Sequence, residues 1–246
     1  MSLRLWHYPF WIAHRGAGTL APENTLAAFR LGAAHRYRMF ECDARLSADD
    51  TVFLLHDNTL ERTTDGQGIA GQRPWAELAA LDAGAWHSAA YQGEGLPLLS
   101  TLASWCLTHG GMLNIEIKPT PGTEQRTGQR VAQEAARLWA HAAVPPLLSS
   151  FSHAALQAAR AAAPQLPRGL LLERFSDEGL DMARSLGCVA LIGHHPLWQA
   201  ERVGRVHAAG LHCLAYTVND PAEAQRLQAL AIDGLITDRV DLFPPD

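Results

Sequence analysis

Four short segments of the chain place ionisable residues at the ends of apolar runs. They are His14-Arg15-Gly16, Glu41-Cys42-Asp43, His56-Asp57 and Glu116-Ile117-Lys118. Charged and polar groups seldom end buried strands without a function, because burying an unpaired charge costs free energy. Together they supply three carboxylates, two histidines, an arginine and a lysine, a set suited to binding a divalent cation and cleaving a phosphodiester.

The two histidines match the proton transfers of that chemistry. Cleavage of a phosphodiester needs a base for the attacking hydroxyl and an acid for the leaving oxygen, and His14 and His56 could share these roles in either assignment. Each role contributes on the order of 10²–10⁴ in rate. Arg15 and Lys118 would neutralise charge on the phosphate. One neutral and one protonated histidine predict a bell-shaped pH dependence.

The carboxylates predict a metal site. Glu41, Asp43 and Glu116 would repel one another in a shared lumen unless a cation lies between them. Oxygen ligands favour one hard divalent cation, Mg²⁺ or Ca²⁺, and the choice between the two stays open. Zinc fits less well, because the histidines are needed for proton transfer.

The elements that must position these residues alternate between strand and helix. Strand-type runs lie at 10–14, 38–44, 51–56, 112–118, 147–151, 169–173, 188–193, 212–218 and 234–237. Helical patterns lie at about 24–36, 99–109, 124–142, 153–163, 176–186, 196–209 and 221–231. This order and the length of 246 residues predict an α/β fold, a (β/α)8 TIM barrel forming one domain over 1–246. An open doubly wound sheet is disfavoured, because no G-x-G-x-x-G follows a strand.

The alternation of side chains along a strand predicts where the ionisable groups point. In 112–118 the polar residues Asn114, Glu116 and Lys118 share one face, which we expect to be the lumen. Glu41 and Asp43 likewise share a face. Because strand ends converge at the mouth of a barrel, we expect residues 14, 41, 43, 56, 116 and 118 to meet there.

One segment interrupts the alternation. Residues 57–98 are long and rich in Gly, Asp, Thr and Trp. A structureless loop of that length is unusual in a compact domain. We therefore predict a small inserted subdomain over the barrel mouth, whose expected apolar anchors are Trp75, Leu78, Leu81, Trp86 and Tyr91.

Composition narrows the class of protein. The net charge is −5 without a basic cluster, which argues against nucleic-acid binding. The first residues lack the pattern of an export signal, and no apolar run is long enough to span a membrane. The four scattered cysteines are expected to be reduced. We expect a cytoplasmic enzyme with a small-molecule substrate, and homo-oligomer formation stays open.

The motifs resemble those of the glycerophosphodiester phosphodiesterases over essentially the whole chain. The matching segments are His14-Arg15-Gly16, Pro22-Glu23-Asn24-Thr25, Glu41-x-Asp43, His56-Asp57-x-x-Leu60-x-Arg62-Thr63-Thr64-x-Gly66-x-Gly68, Leu81-Asp82-Ala83-Gly84-x-Trp86, Gly93-Glu94-x-x-Pro97, Asn114-x-Glu116-x-Lys118 and Gly234-x-x-Thr237-Asp238. Two positions depart from the common pattern. Tyr216 stands where a tryptophan is frequent and Leu98 where a threonine is frequent, which affects substrate preference rather than the chemistry.

The resemblance implies hydrolysis of glycerophosphodiesters, the deacylated head groups of phospholipids, to sn-glycerol 3-phosphate and an alcohol. By position, it assigns metal binding to Glu41, Asp43 and Glu116, and acid–base catalysis to His14 and His56. Arg15 and Lys118 would bind phosphate. It implies either direct hydrolysis or a cyclic intermediate.

Other residues keep two interpretations. Phe151 and Tyr216 are either an apolar wall for glycerol carbons or core residues, and Glu173 either binds a substrate hydroxyl or has no such role. Asp57 either supports the metal or a histidine or caps the following turn. Two rival functions also remain: a phospholipase D-like enzyme acting on lyso- or intact phospholipids, and a non-catalytic barrel that binds glycerol phosphates.

Overall fold

The structure is a computed structural model that describes residues 6–245. Its strands are β1 Trp11–Ala13, β2 Met39–Leu46, β3 Val52–Leu54, β4 Met112–Ile117, β5 Leu147–Ser150, β6 Arg168–Leu172, β7 Ala190–His194, β8 His212–Tyr216 and β9 Gly234–Thr237. Its α-helices are α1 Leu26–Ala34, α2 Trp75–Leu78, α3 Leu99–His109, α4 Glu124–Leu138, α5 His153–Ala162, α6 Asp177–Ser185, α7 Ala200–Ala208 and α8 Pro221–Ala229.

Eight of the strands form a closed parallel barrel. The order around the ring is β1-β9-β8-β7-β6-β5-β4-β2, and a pairing between β1 and β2 closes it. Every pairing within the ring is parallel. The predicted TIM barrel is confirmed.

The third strand lies outside this ring. β3 pairs antiparallel with the protruding end of β2, with Ala44 opposite Leu54 and Leu46 opposite Val52. The expectation that His56 ends one of the converging parallel strands is therefore wrong. Residues 47–51 instead make a tight return, with Asp50 in the left-handed region at φ 65°. A segment this short joins antiparallel neighbours, since a parallel connection needs a dozen or more residues.

The alternation predicted for 112–118 is observed. Leu113, Ile115 and Ile117 are buried in the layer between strands and helices, while Met112 packs against the lumen cluster. Even-numbered positions of β4 therefore face the barrel interior, and the ionisable residues lie at its carboxyl end.

Four of the helices begin at side-chain caps, and the helices form an incomplete outer ring. Thr25, Ser152, Ser176 and Asp220 each accept a hydrogen bond from the backbone N–H three residues later. The described residues contain seven helices of nine residues or more. Where β9 pairs with β1, the turn after β9 covers the outer face of the barrel in place of a helix. There the ring of Phe243 stacks on the ring of Trp11, with 4.5 Å between their centroids.

The helix predicted over 196–209 is divided. A 3-10 turn covers His195–Leu197, and α7 begins only at Ala200. Trp198 between them is fully buried, and its Nε1–H donates to the carbonyl of Leu214. The burial and hydrogen bonding of Trp198 therefore interrupt the helix that the local sequence pattern predicts.

The long segment at 57–98 contains its own small hydrophobic cluster. Leu60, Leu78 and Ala83 are buried in it together with Phe53 of β3. Of the expected anchors, Trp75 and Leu81 pack against this cluster, but Tyr91 packs against the main core and Trp86 is 41% exposed. A role for the segment as a subdomain over the mouth stays a prediction. Residues 6–245 include no helix long and apolar enough to cross a membrane.

Candidate active site

The register between β2 and β4 brings three carboxylates together at the barrel mouth. Asp43 pairs with Glu116, and Glu41 pairs with Asn114 one pleat below. Carboxylate oxygens of Glu41, Asp43 and Glu116 all lie within 4.8 Å of one another. Glu41 and Asp43 are almost fully buried. The predicted acidic cluster therefore exists as a compact set of oxygen ligands.

Burial and neighbouring negative charge oppose ionisation of two of the three carboxylates. Burial, with the neighbouring Asp43, raises the pKa of Glu116 to about 7 and that of Glu41 well above its usual range. Burial also opposes ionisation of Asp43, but Arg15, His56 and Lys118 outweigh it and lower the pKa of that carboxyl. Oε1 of Glu41 is buried and has no hydrogen-bond partner among residues 6–245. A cation between these oxygens would relieve both effects.

Arg15 follows β1 and contacts two members of the cluster. Its φ of 50° lies in the left-handed region, and its backbone N–H donates to Oε2 of Glu41 at 3.1 Å. Its guanidinium donates to Glu23 at 2.8 Å and lies 3.4 Å from Asp43. Burial lowers the pKa of this guanidinium, but the three carboxylates outweigh burial and raise it. Arg15 therefore stays charged at the edge of the cluster.

His14 is oriented by a carboxylate from the last strand. Its Nδ1 lies 2.6 Å from Oδ1 of Asp238, and its Nε2 lies 3.7 Å from Oε2 of Glu41. Asn219 holds Asp238 in turn, donating to its Oδ2 and accepting from its backbone N–H, both at 2.9 Å. No role was predicted for Asp238 from the sequence, although its position at the end of the apolar run 234–237 was a signal for one.

His56 is oriented in the same way by its neighbour in sequence. Nδ1 of His56 lies 2.6 Å from Asp57, and Arg62 donates to both oxygens of that carboxylate at 2.6 and 3.0 Å. Nε2 of His56 lies 3.2 Å from Nζ of Lys118. Burial, followed by the charges of Arg15 and Lys118, lowers the pKa of His56. Of the two roles open to Asp57, the contact observed is with the histidine.

A buried arginine missed by the sequence analysis fixes the segment that carries His56. Arg45 is 4% exposed, and its guanidinium donates to the carbonyls of Leu55, His56 and Lys118 at 3.1, 2.6 and 3.3 Å. Burial lowers its pKa to about 10. Nothing local distinguishes Arg45 from a surface arginine at a strand end, because its role depends on the return of β3.

The predicted site residues line one cavity of about 300 Å³ at the mouth, apart from Asp43, which lies buried behind it. The lining includes His14, Arg15, Glu41, His56, Glu116, Lys118, Phe151, Glu173 and Tyr216. The rings of Phe151 and Tyr216 meet edge to face at 6.1 Å, and the hydroxyl of Tyr216 donates to the carbonyl of Leu172. Glu173 is exposed at the rim.

Comparison with known proteins places the chain among phosphodiesterases. The model of the glycerophosphoryl diester phosphodiesterase family matches residues 14–242. The Bacillus subtilis protein YhdW is 33% identical over 242 residues, covering 96% of each chain. A glycerophosphodiester phosphodiesterase of Caldanaerobacter subterraneus subsp. tengcongensis is 30% identical over 92% of this chain and 93% of its own.

A solved structure of a phosphodiesterase is also similar to this chain. An Oleispira antarctica phosphodiesterase, in complex with its product sn-glycerol-3-phosphate, superposes with a TM-score of 0.88 at 34% identity. The match covers 94% of this chain and 93% of that one.

Proposed function

The chain belongs to the glycerophosphoryl diester phosphodiesterase family, and from that membership we propose that it hydrolyses glycerophosphodiesters to sn-glycerol 3-phosphate and an alcohol. One observation carries the proposal for this chain. Two histidines, each held at Nδ1 by a carboxylate, line one cavity with Arg15, Lys118 and two carboxylates of the acidic cluster, Glu41 and Glu116.

Glu41, Asp43 and Glu116 would hold one divalent cation, Mg²⁺ or Ca²⁺. Their oxygens form the all-carboxylate set that hard cations prefer, and the unpartnered Oε1 of Glu41 fits such a ligand. When bound, the cation would stabilise negative charge on the phosphate oxygens and favour ionisation of a nearby hydroxyl.

The surroundings of the histidines favour opposite proton roles. The ammonium of Lys118 donates toward Nε2 of His56, which requires that nitrogen to carry a lone pair. We therefore assign the base to His56. Nδ1 of His14 lies 2.6 Å from Asp238, and its Nε2 lies 3.7 Å from Oε2 of Glu41, beside the acidic cluster. We assign to it the protonation of the leaving oxygen.

The remaining lining residues fit the rest of the substrate. Arg15 and Lys118 would bind the non-bridging phosphate oxygens. Phe151 and Tyr216 would pack against glycerol carbons, and Glu173 at the rim would accept a hydrogen bond from a glycerol hydroxyl. Among the described residues, two large apolar side chains near His14 are exposed. Phe151 lines the barrel-mouth cavity, and Trp86 lines an adjoining cavity that His14 also lines. An acyl chain needs more apolar area, so we propose small deacylated diesters as substrates.

The test is release of sn-glycerol 3-phosphate from glycerophosphocholine in the presence of Mg²⁺, measured with a coupled dehydrogenase. We expect EDTA to abolish turnover and Glu41→Gln to lower kcat at least about 10²-fold, because the cluster loses a charged ligand. Glu201→Gln, an exposed carboxylate on α7, is the matched control and should leave turnover unchanged. Metal-replete enzyme that releases no product from a panel of glycerophosphodiesters would refute the proposal.

A further inference from the structure

A second cavity adjoins the one at the barrel mouth. It also measures about 300 Å³, and it is lined by His14, Arg15, Gly18, Thr19, Ala21, Glu23, Trp86, His87 and Asp238. His14 and Arg15 belong to both linings. The two spaces therefore meet at the residues assigned to the leaving oxygen and to the phosphate.

A phosphodiester has two arms that diverge from one phosphorus atom. A site that binds the phosphate at Arg15 must therefore accommodate one arm on each side of that residue. The barrel-mouth cavity has the aromatic and hydroxyl-binding groups suited to glycerol. Because His14 also faces the second cavity, the arm that leaves from there is the one whose oxygen it protonates.

The second cavity is a constructed site rather than a loose surface cleft. Asp82 accepts hydrogen bonds from the backbone N–H groups of Gly84, Ala85 and Gly93, all at 2.8 Å, which fixes the corner that carries Trp86. Nε1–H of Trp86 donates to the carbonyl of Ala83. The indole is therefore held with its nitrogen occupied, although the side chain is 41% exposed.

His87 joins this corner to the barrel. Its Nε2 lies 3.0 Å from the carbonyl of Thr19, so that nitrogen carries the proton. Its ring meets Trp86 edge to face at 5.7 Å and Tyr91 at 5.4 Å. The indole is thus positioned from two sides, by Asp82 through the backbone and by His87 through its ring.

The aromatic face and the carboxylates of the lining suit a cation better than an anion. Of the two carboxylates, Glu23 also pairs with Arg62 and Asp238 pairs with His14, and a bound phosphate would engage the guanidinium of Arg15. An aromatic face beside carboxylates attracts ammonium groups, and most of all quaternary ones. Resting on the proposed function, we propose that this cavity is the subsite for the leaving alcohol and that Trp86 selects alcohols bearing an ammonium group, such as choline.

Two substrates of the same shape isolate the charge. Glycerophosphocholine and its carbon isostere, the 3,3-dimethylbutanol ester, differ only in the positive charge of the alcohol arm. We expect the wild-type enzyme to favour the choline ester about tenfold in kcat/KM. Trp86→Ala should bring this ratio close to one, and Trp86→Phe, which keeps a ring, should give an intermediate ratio.

Phe151→Ala is the matched control, because Phe151 is similarly exposed, at 39%, but lines the other cavity. It should lower kcat/KM for both esters and leave their ratio within about twofold. A wild-type ratio near one, or a ratio that Trp86→Ala leaves unchanged, would overturn the subsite while the proposed function stands.

Binding of free choline tests the ammonium subsite without requiring turnover of a diester. Saturation-transfer NMR with free choline should give a signal with the wild type and with Phe151→Ala, and none with Trp86→Ala. If no diester were hydrolysed but choline bound in this pattern, the proposed function would fail and the ammonium site would stand. Equal choline signals from the wild type and Trp86→Ala would refute the site.

Discussion

At the scale of single residues, the two histidines are held in the same way by carboxylates of very different origin. Asp57 is the next residue after His56, whereas Asp238 lies 224 positions from His14. In each pair the carboxylate accepts the Nδ1–H bond, which would leave Nε2 available for the proposed proton transfer. The site therefore includes the two carboxylates that fix the orientation of the imidazole rings.

Asp238→Asn tests that orientation. An amide can present its NH₂ to Nδ1 and so stabilise the wrong tautomer, and it cannot stabilise the protonated ring. We expect kcat to fall by about 10²–10⁴-fold with a much smaller change in KM, measured by steady-state release of sn-glycerol 3-phosphate.

Asp241→Asn serves as the control for this variant. It lies three residues along the same turn and pairs with Arg239 at the surface, so activity should be retained. A kcat for Asp238→Asn within about threefold of the wild type would show that His14 needs no carboxylate partner.

The site residues that could be predicted from the sequence are those whose role follows from the residues next to them in the chain. Glu41, Asp43, Glu116 and Lys118 end apolar runs, and the alternation along those strands assigns them to one face. Asp238 has the same local signature, but its partner is decided by the closure of β9 against β1. Sequence alone does not state which strands are neighbours.

At the scale of elements, the return of β3 is the largest difference from expectation. The apolar run at 51–56 predicted a strand correctly, but the strand lies outside the ring. His56 reaches the mouth because the strand turns back along the protruding end of β2, where Leu55 N–H donates to the carbonyl of Asp43. A short apolar run alone reads the same way for parallel and antiparallel strands. The signal for direction was the short connection at 45–50, which is too short for a parallel crossover.

Arg45→Met tests how β3 is held. The apolar side chain would leave the carbonyls of Leu55, His56 and Lys118 without this donor, and we expect a loss of about 3 kcal/mol in the free energy of unfolding. Displacement of His56 should also lower kcat at least about tenfold. Urea denaturation measures the first effect and steady-state kinetics the second.

Arg168→Met is a control of the same kind. Arg168 is also buried, and it donates to the carbonyls of Pro164, Leu166 and Gly187 at the opposite end of the barrel from the mouth. It should cost comparable stability and leave kcat unchanged. If both variants affected kcat equally, the contribution of Arg45 would be to stability alone.

At the scale of the whole molecule, the acidic cluster should make stability depend on pH and on metal. The pKa of Glu116 is raised from 4.5 to about 7 in the fold, mainly by burial. Through this carboxyl, the folded, metal-free protein therefore binds more protons than the unfolded chain between these values. Its stability should be greatest at the acidic end of this window and fall as the pH rises through about 7.

Mg²⁺ should reverse this trend. A cation must displace the proton from Glu116 below pH 7, so its affinity should fall about tenfold for each pH unit below that value. At a saturating concentration, we expect Mg²⁺ to raise Tm by about 5 °C or more at pH 8 and by much less at pH 5.5. Differential scanning calorimetry with and without EDTA measures both.

The Glu116→Gln variant tests whether the pH dependence of stability and of the Mg²⁺ shift in Tm comes from Glu116 or from other ionisable groups. It should flatten the decline of the metal-free protein and reduce the Mg²⁺ shift at both pH values, whereas Glu201→Gln should behave as the wild type. Equal Mg²⁺ stabilisation of the wild type at pH 5.5 and 8 would argue against a titrating ligand in the cluster.

The position of β3 beside the ring has a consequence for how proteins of this architecture diversify. The cation site and His14 depend on β1, β2 and β4, whose register closes the barrel, so substitutions there endanger the entire fold. The hairpin that carries His56 lies outside the ring, where β3 pairs with β2 and Phe53 bridges to Leu98. The segment that follows His56 can therefore vary in length and shape to suit new substrates while the acidic cluster and the barrel stay intact.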